Sequence, residues 1–185
     1  VSIIRPRTIV GPGRLGIFQI LFEWIRKGSP VYMINGGSNR LQLIGLDDLV
    51  EVSILLKNKG NFEDFNIGAE NFTTLREDLE ALIKHAGTAS RIIFVPGLLA
   101  RPALAILDFF NLSPLVDLHY KTIDKDFYFD ISKAKKILDW QPKESNKDCL
   151  IKAYDWYLKN ADMIDKNFGT THRKAVKKGI LSILR

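Results

Sequence analysis

An apolar run closed by a glycine-rich turn and followed at once by an amphipathic helix constrains this chain more than any other feature. Residues 1–16 read VSIIRPRTIVGPGRLG, and Ile17, Ile20, Leu21, Trp24 and Ile25 then fall on one helical face before Gly28. A strand, a tight turn and a helix in that order begin a strand–crossover–strand unit. Gly11, Gly13 and Gly16 also spell GxGxxG, the context of a dinucleotide-binding fingerprint. The same glycines serve equally as a plain turn. Arg5 and Pro6 inside the run and Pro12 between the glycines favour the turn, and the next strand, Pro30 to Asn35, ends in Asn35 where a ribose-binding acid is wanted.

The alternation continues along the chain. Pro30 to Asn35 and Leu41 to Leu46 read as strands around the turn Gly36-Gly37-Ser38-Asn39. Asp47 or Asp48 caps a helix carrying Leu49, Val52, Leu55 and Leu56 up to Gly60. A short strand spans Phe65 to Ile67, and Thr73 or Thr74 caps a helix through His85, with Glu77 placed for a capping box on Thr74. Arg91 to Val95 forms another strand. Leu98 to Leu112 reads as a strongly apolar helix, Phe127 to Asp130 as extended chain, Ser132 to Leu138 as a short helix, and a last helix carries Tyr154, Trp156 and Tyr157. Strands alternating with helices predict an α/β fold.

Composition limits the partners. The formal net charge is +6, but residues 172–185 hold five cations and no acid, which leaves +1 for all the rest. The charge therefore describes a tail and gives no basic face for nucleic acid. The tail HRKAVKKGILSILR places Val176, Ile180, Ile183 and Leu184 on one side of a basic amphipathic helix, suited first to packing on protein and second to an anionic membrane surface or a partner's groove. No run approaches the roughly 18 apolar residues of a membrane span. Cys149 is the sole cysteine, so no internal disulfide forms and a reducing, cytoplasmic location is expected. His85, His119 and His172 are widely separated and build no metal or nucleophile motif, and Asp47, Asp48 and Glu51 are explained by capping. No metal site is predicted.

Four segments, IIRPRTIVGPG (3–13), NRLQLIGLDDLVEV (39–52), DFNIGAENFTTLREDLEALI (64–83) and DISKAKKILDWQP (130–142), resemble in order and spacing the second half of the extended short-chain dehydrogenase/reductases, the NAD-dependent epimerase/dehydratase family. The resemblance implies an incomplete Rossmann sheet joined to a small substrate-binding α/β subdomain. Residues 1–165 form this C-terminal portion, and 166–185 the tail. In the family, the glycine fingerprint and the catalytic Tyr-x-x-x-Lys precede the "RP…GPG" strand, so both would lie before Val1; no catalytic residue is assigned here. The start at Val1 without Met suggests a fragment, inactive alone, with NAD or NADP bound mainly by the missing N-terminal half.

The resemblance further implies that Pro6, Arg7 and Thr8 line the junction of cofactor and substrate, and that Thr8, Arg40, Gln42 and Asp48 belong to the substrate side. Thr8 stands where sugar-nucleotide epimerases usually have Asn, and Leu41 where they have a pyrophosphate-binding Arg. Arg40 is adjacent but one residue out of phase. A second family Arg falls near Tyr120, beside His119 and Lys121. The substrate is accordingly a nucleotide sugar or another carbonyl or alcohol, with homodimerisation a further expectation. Asp48 is read mainly as a helix cap that holds the binding strand. The competing reading is a non-catalytic relative that keeps the fold for regulation or for a protein partner.

Overall fold

In a computed structural model, residues 2–59, 63–100, 102 and 125–167 are described. The elements in chain order are β1 (Ile3–Pro6), β2 (Thr8–Val10), α1 (Phe18–Arg26), β3 (Val31–Ile34), a 3-10 turn (Asn35–Gly37), β4 (Leu43–Gly45), α2 (Leu46–Lys59), β5 (Asp64–Ile67), α3 (Leu75–Ala86), β6 (Ile92–Val95), α4 (Ser132–Leu138) and α5 (Asn146–Asn167). The strands pair in parallel as β1–β5, β2–β4 and β3–β6. Parallel pairing with helical crossovers makes this an α/β fold. The apolar helix expected over Leu98 to Leu112 falls mostly outside the described residues, as does the tail from residue 168 onward. No helix among the described residues is long and apolar enough to cross a membrane.

The run Ile3 to Val10 is two strands, not the single one its hydropathy predicts. β1 runs alongside β5 as far as Pro6 opposite Ile67, and β2 runs alongside β4 from Thr8 opposite Leu43. The change of neighbour happens at Arg7. Pro6 has no N–H to offer a ladder, and the Arg7 N–H goes to the Ile67 carbonyl at 2.9 Å. The Arg7 side chain then leaves the sheet. Its guanidinium lies 3.3 Å from the Phe127 ring centroid and 4.5 Å from that of Phe129, and donates to the Phe127 carbonyl at 3.0 Å. Burial in this aromatic clasp lowers its pKa from the ordinary arginine value.

Period-two alternation across β2 and β4 divides the interior in two. Val10 and Leu43 face a core with Phe22, Ile25, Leu79, Leu82 and Tyr154, while Ile9 and Ile44 face a second core with Phe65, Leu138 and Trp140. Helix α3 is sealed at both ends by local chemistry. The Thr74–Glu77 capping box forms as its spacing predicts, and Gly87 closes the helix in the left-handed conformation at φ 62°. Asp47 and Asp48 are not caps of α2. The helix already begins at Leu46, so both sit in its first turn, where carboxylates complement the helix dipole.

Helices α1 and α5 are joined by a buried charge. Glu23 accepts from Arg26, Lys27 and the Tyr157 hydroxyl. Burial alone pushes the Glu23 carboxyl upward, but the hydrogen bonds from Lys27, Tyr157 and Arg26 outweigh it and hold it at about 2. Its folded value lies below the ordinary 4.5, so the stabilisation is complete above about pH 4.5 and is lost as pH falls towards 2. Glu23→Gln should therefore cost about 2–3 kcal/mol in urea unfolding at pH 7, with the gap from wild type closing between pH 4.5 and pH 2. For the aromatic clasp, Arg7→Met keeps much of the volume and loses the charge. It should lower stability by about 1–3 kcal/mol, because the Phe127 carbonyl and both ring faces lose their donor; chemical unfolding of Arg7→Met beside Phe127→Leu and the double variant measures the coupling.

Candidate functional site

The glycines of the opening segment form a turn closed on itself by two backbone hydrogen bonds. Gly11 N–H donates to the Arg14 carbonyl at 3.1 Å, and Arg14 N–H returns a bond to Gly11 at 2.9 Å. A Cβ at Gly11 would lie 3.0 Å from Leu46 Cβ, so the glycine here serves a close packing of β2 on α2. At the end of β3, where a ribose-binding acid was wanting, the Asn35 side chain accepts from Gly97 N–H at 2.7 Å. The Gly11 and Arg14 N–H groups are thus committed within the turn and are not available to an anion.

Of the predicted site residues, Pro6, Arg7, Thr8 and Gln42 lie around the carboxyl ends of β1 and β5, Arg40 lies beside residues 126–128, and Asp48 stands apart in the first turn of α2. Arg7 and Thr8 lie at the switch between the two strand pairs, with Thr8 half-buried opposite Leu43. Gln42, 1% exposed, donates from Nε2 to the Ala69 carbonyl at 2.7 Å and accepts from Phe129 N–H at 2.8 Å. Gly68 touches it closely. A Cβ at Gly68 would stand 2.4 Å from Gln42 Cδ, so a side chain there and the amide of Gln42 exclude one another. Gln42 thus joins the end of β5 to residues 127–129, which pair with residues 40–42 through Phe127 N–H to Arg40 and Gln42 N–H to Phe127.

Arg40 and Leu41 point to opposite sides, as strand alternation requires. Leu41 packs against the first core. Arg40 is exposed, with its guanidinium 4.8 Å from the Phe72 ring centroid and 5.0 Å from that of Tyr128, and its N–H bonds the Asp126 carboxylate at 2.8 Å. A planar donor fork beside two aromatic rings can receive an anion and flank a planar group. Arg7 offers less. It is 94% buried (6% exposed), and its Nε has no partner.

Asp48 is 1% exposed and its carboxylate accepts from the N–H groups of Lys143 and Glu144, each at 3.1 Å. It therefore fixes the approach to α5 under the β4–α2 corner, a bond its position at the start of a helix did not signal. Sequence reasoning also missed Asn146. This residue, 1% exposed, accepts from Leu43 N–H at 2.8 Å and donates to the Leu41 carbonyl at 2.5 Å and to Asp78 at 2.8 Å. Burial raises the Asp78 carboxyl above its ordinary value despite the bonds from Asn146 and Thr73. Phe127 and Phe129, read only as extended chain, are the two rings that clasp the Arg7 guanidinium. His85 pairs with Asp155 at 2.8 Å on the surface; His119, His172 and Tyr120 lie outside the described residues. Among the described residues no group of His, Cys, Asp or Glu is placed to hold a metal.

No family model matches the chain. An uncharacterized protein y4nG of Sinorhizobium fredii (strain NBRC 101917 / NGR234) is 40% identical over 184 residues, covering 100% of this chain and 46% of that protein. UDP-glucuronate 4-epimerase of Thermodesulfobacterium geofontis is 24% identical over 168 residues, 89% of this chain and 45% of that one. The chain thus spans about half the length of the curated relatives it matches. Among solved structures, UDP-glucose 4-epimerase of Thermotoga maritima with UDP-glucose superposes with a TM-score of 0.65 over 86% of this chain and 46% of its own, at 22% identity. UDP-glucuronic acid 4-epimerase of Bacillus cereus in complex with NAD gives 0.62 over 85% and 44%, at 20% identity. The chain accordingly has the fold of the C-terminal portion of the extended short-chain dehydrogenase/reductases, the fold of NAD-dependent sugar epimerases and dehydratases.

Proposed function

We propose that this chain is the substrate-binding C-terminal portion of a cytoplasmic NAD(P)-dependent enzyme of the sugar-nucleotide epimerase, dehydratase or reductase type. The observation that carries the reading is the switch at Arg7, where β1 leaves β5 and β2 joins β4, which gathers Thr8, Gln42 and residues 127–129 at the carboxyl ends of parallel strands. The likeness in fold to the epimerases supports it.

Each residue has a physical role in this reading. Arg40 receives an anionic group of the substrate on its guanidinium, and the Phe72 and Tyr128 rings border a planar portion. Thr8, with a hydroxyl in place of an amide, orients the reacting portion. Pro6 and Arg7 shape the wall towards the cofactor, Arg7 by holding Phe127 and Phe129 in place. Gln42 and Asp48 act from beneath, through the backbone groups they bind. A bound nicotinamide would supply the hydride acceptor and donor, and in this reading its pyrophosphate is held mainly outside these 185 residues, as the coverage of about half of the relatives' length supports.

Two measurements test this. Calorimetric titration of the 185-residue chain with NAD and with NADP should give no saturable binding, and a micromolar affinity would restore the fingerprint reading of Gly11 to Gly16. In the intact protein, conversion of UDP-glucose and UDP-glucuronate is followed with Arg40→Ala: KM should rise about tenfold while kcat stays close to wild type. Conversion of neither sugar nucleotide, or a loss confined to kcat, would refute the assigned substrate role of Arg40.

A further inference from the structure

An open groove of about 290 Å³ between α3 and β6 belongs to none of the elements around the proposed site. Its floor is apolar, from the half-buried Ile83 and Ile92, and Phe94 adds an aromatic ring that is 45% exposed. Cations dominate its margin. Arg76 is balanced by Glu80 at 2.7 Å and covers the Phe94 ring at 5.0 Å, whereas Lys84 and Arg91 have no ion-pair partner among the described residues. Among the described residues, two cations outside any ion pair therefore flank an exposed apolar strip. Strand β6 pairs with β3 alone among the described residues, and its Ile92 and Phe94, two positions apart, line the groove from one face of the strand.

Small-molecule sites are concave and enclose most of their ligand, and this one is open to solvent. An extended chain suits it better. We propose that the groove binds an extended acidic peptide segment of a partner protein, its carboxylates on Lys84 and Arg91 and an apolar side chain on Ile83, Ile92 and Phe94. The charge complementarity selects an acidic sequence, and the spacing of Ile92 and Phe94 along one face of β6 suits an extended one. This inference is independent of the substrate reading, because no residue of the groove takes part in the site around Arg7 and Arg40.

The test is fluorescence anisotropy on the intact protein at low salt, with a labelled octapeptide of alternating glutamate and leucine and with its lysine–leucine counterpart. The acidic peptide should bind saturably and the basic one should not. Lys84→Glu combined with Arg91→Glu should weaken binding at least about tenfold, and raising salt to about 0.5 M should weaken it similarly. Phe94→Ser should reduce affinity by a comparable factor through the apolar contact. Lys57→Glu, an exposed change on α2, should leave binding unaltered. Thermal melts check each variant, and Lys84→Gln with Arg91→Gln replaces the reversal should it unfold. Absence of saturable binding, equal binding of the basic peptide, or an acidic peptide held as tightly by the folded double variant overturns the proposal.

Discussion

Strand β4 is three residues long, yet both of its edges are buried, and the structure depends on how those edges are satisfied. A buried backbone N–H or carbonyl without a partner costs about as much as a lost hydrogen bond. On one side, β2 and Phe127 supply the partners. On the other there is no neighbouring strand among the described residues. The Asn146 amide takes that place, accepting from Leu43 and donating to Leu41, while Ala69 N–H reaches the Leu43 carbonyl at 2.7 Å. A side-chain amide carries a donor and an acceptor about as far apart as those of a peptide unit, so it can stand in for a short stretch of strand. Because Asn146 begins α5 and also bonds Asp78 of α3, the same residue fixes two helices against the strand.

The geometry of the site follows from that anchoring. With β4 held, residues 40 to 43 present alternate side chains to opposite sides, Leu41 and Leu43 to the core and Arg40 and Gln42 towards residues 127–129. Those residues are in turn gripped by Arg7, whose charge is shielded by two aromatic faces. The buried arginine is tolerated because a guanidinium is weakly hydrated and stacks well, which an ammonium would not. The site is thus assembled from two long-range clasps of unlike chemistry, one of amides and one of cation and rings.

The sequence was most legible where structure is set locally. The capping box at Thr74, the breaker at Gly28 and the short apolar run before the Gly36-Gly37 turn lie within a few residues of the elements they specify, and α3, the end of α1 and β3 form there. The resemblance of four segments gave the fold class. What was illegible depends on partners far away in the chain. Arg7 meets Phe127 across 120 positions, and although Pro6 weakens the ladder locally, the run IIRPRTIV does not show that the next residues join a different strand. Asp48 was read as a cap because a carboxylate at a helix start ordinarily is one, but its oxygens are taken by Lys143 and Glu144, 95 and 96 positions on.

The contact between Gly68 and Gln42 bears on how such a site can diverge. A side chain at position 68 and an amide at position 42 claim the same space, so neither position can drift independently of the other. A larger residue at 68 requires a shorter one at 42, and shortening 42 removes the bonds to Ala69 and Phe129. Adaptation to a bulkier or smaller ligand would therefore have to proceed by paired substitutions, and this corner of the site forms an epistatic unit in which single steps are penalised.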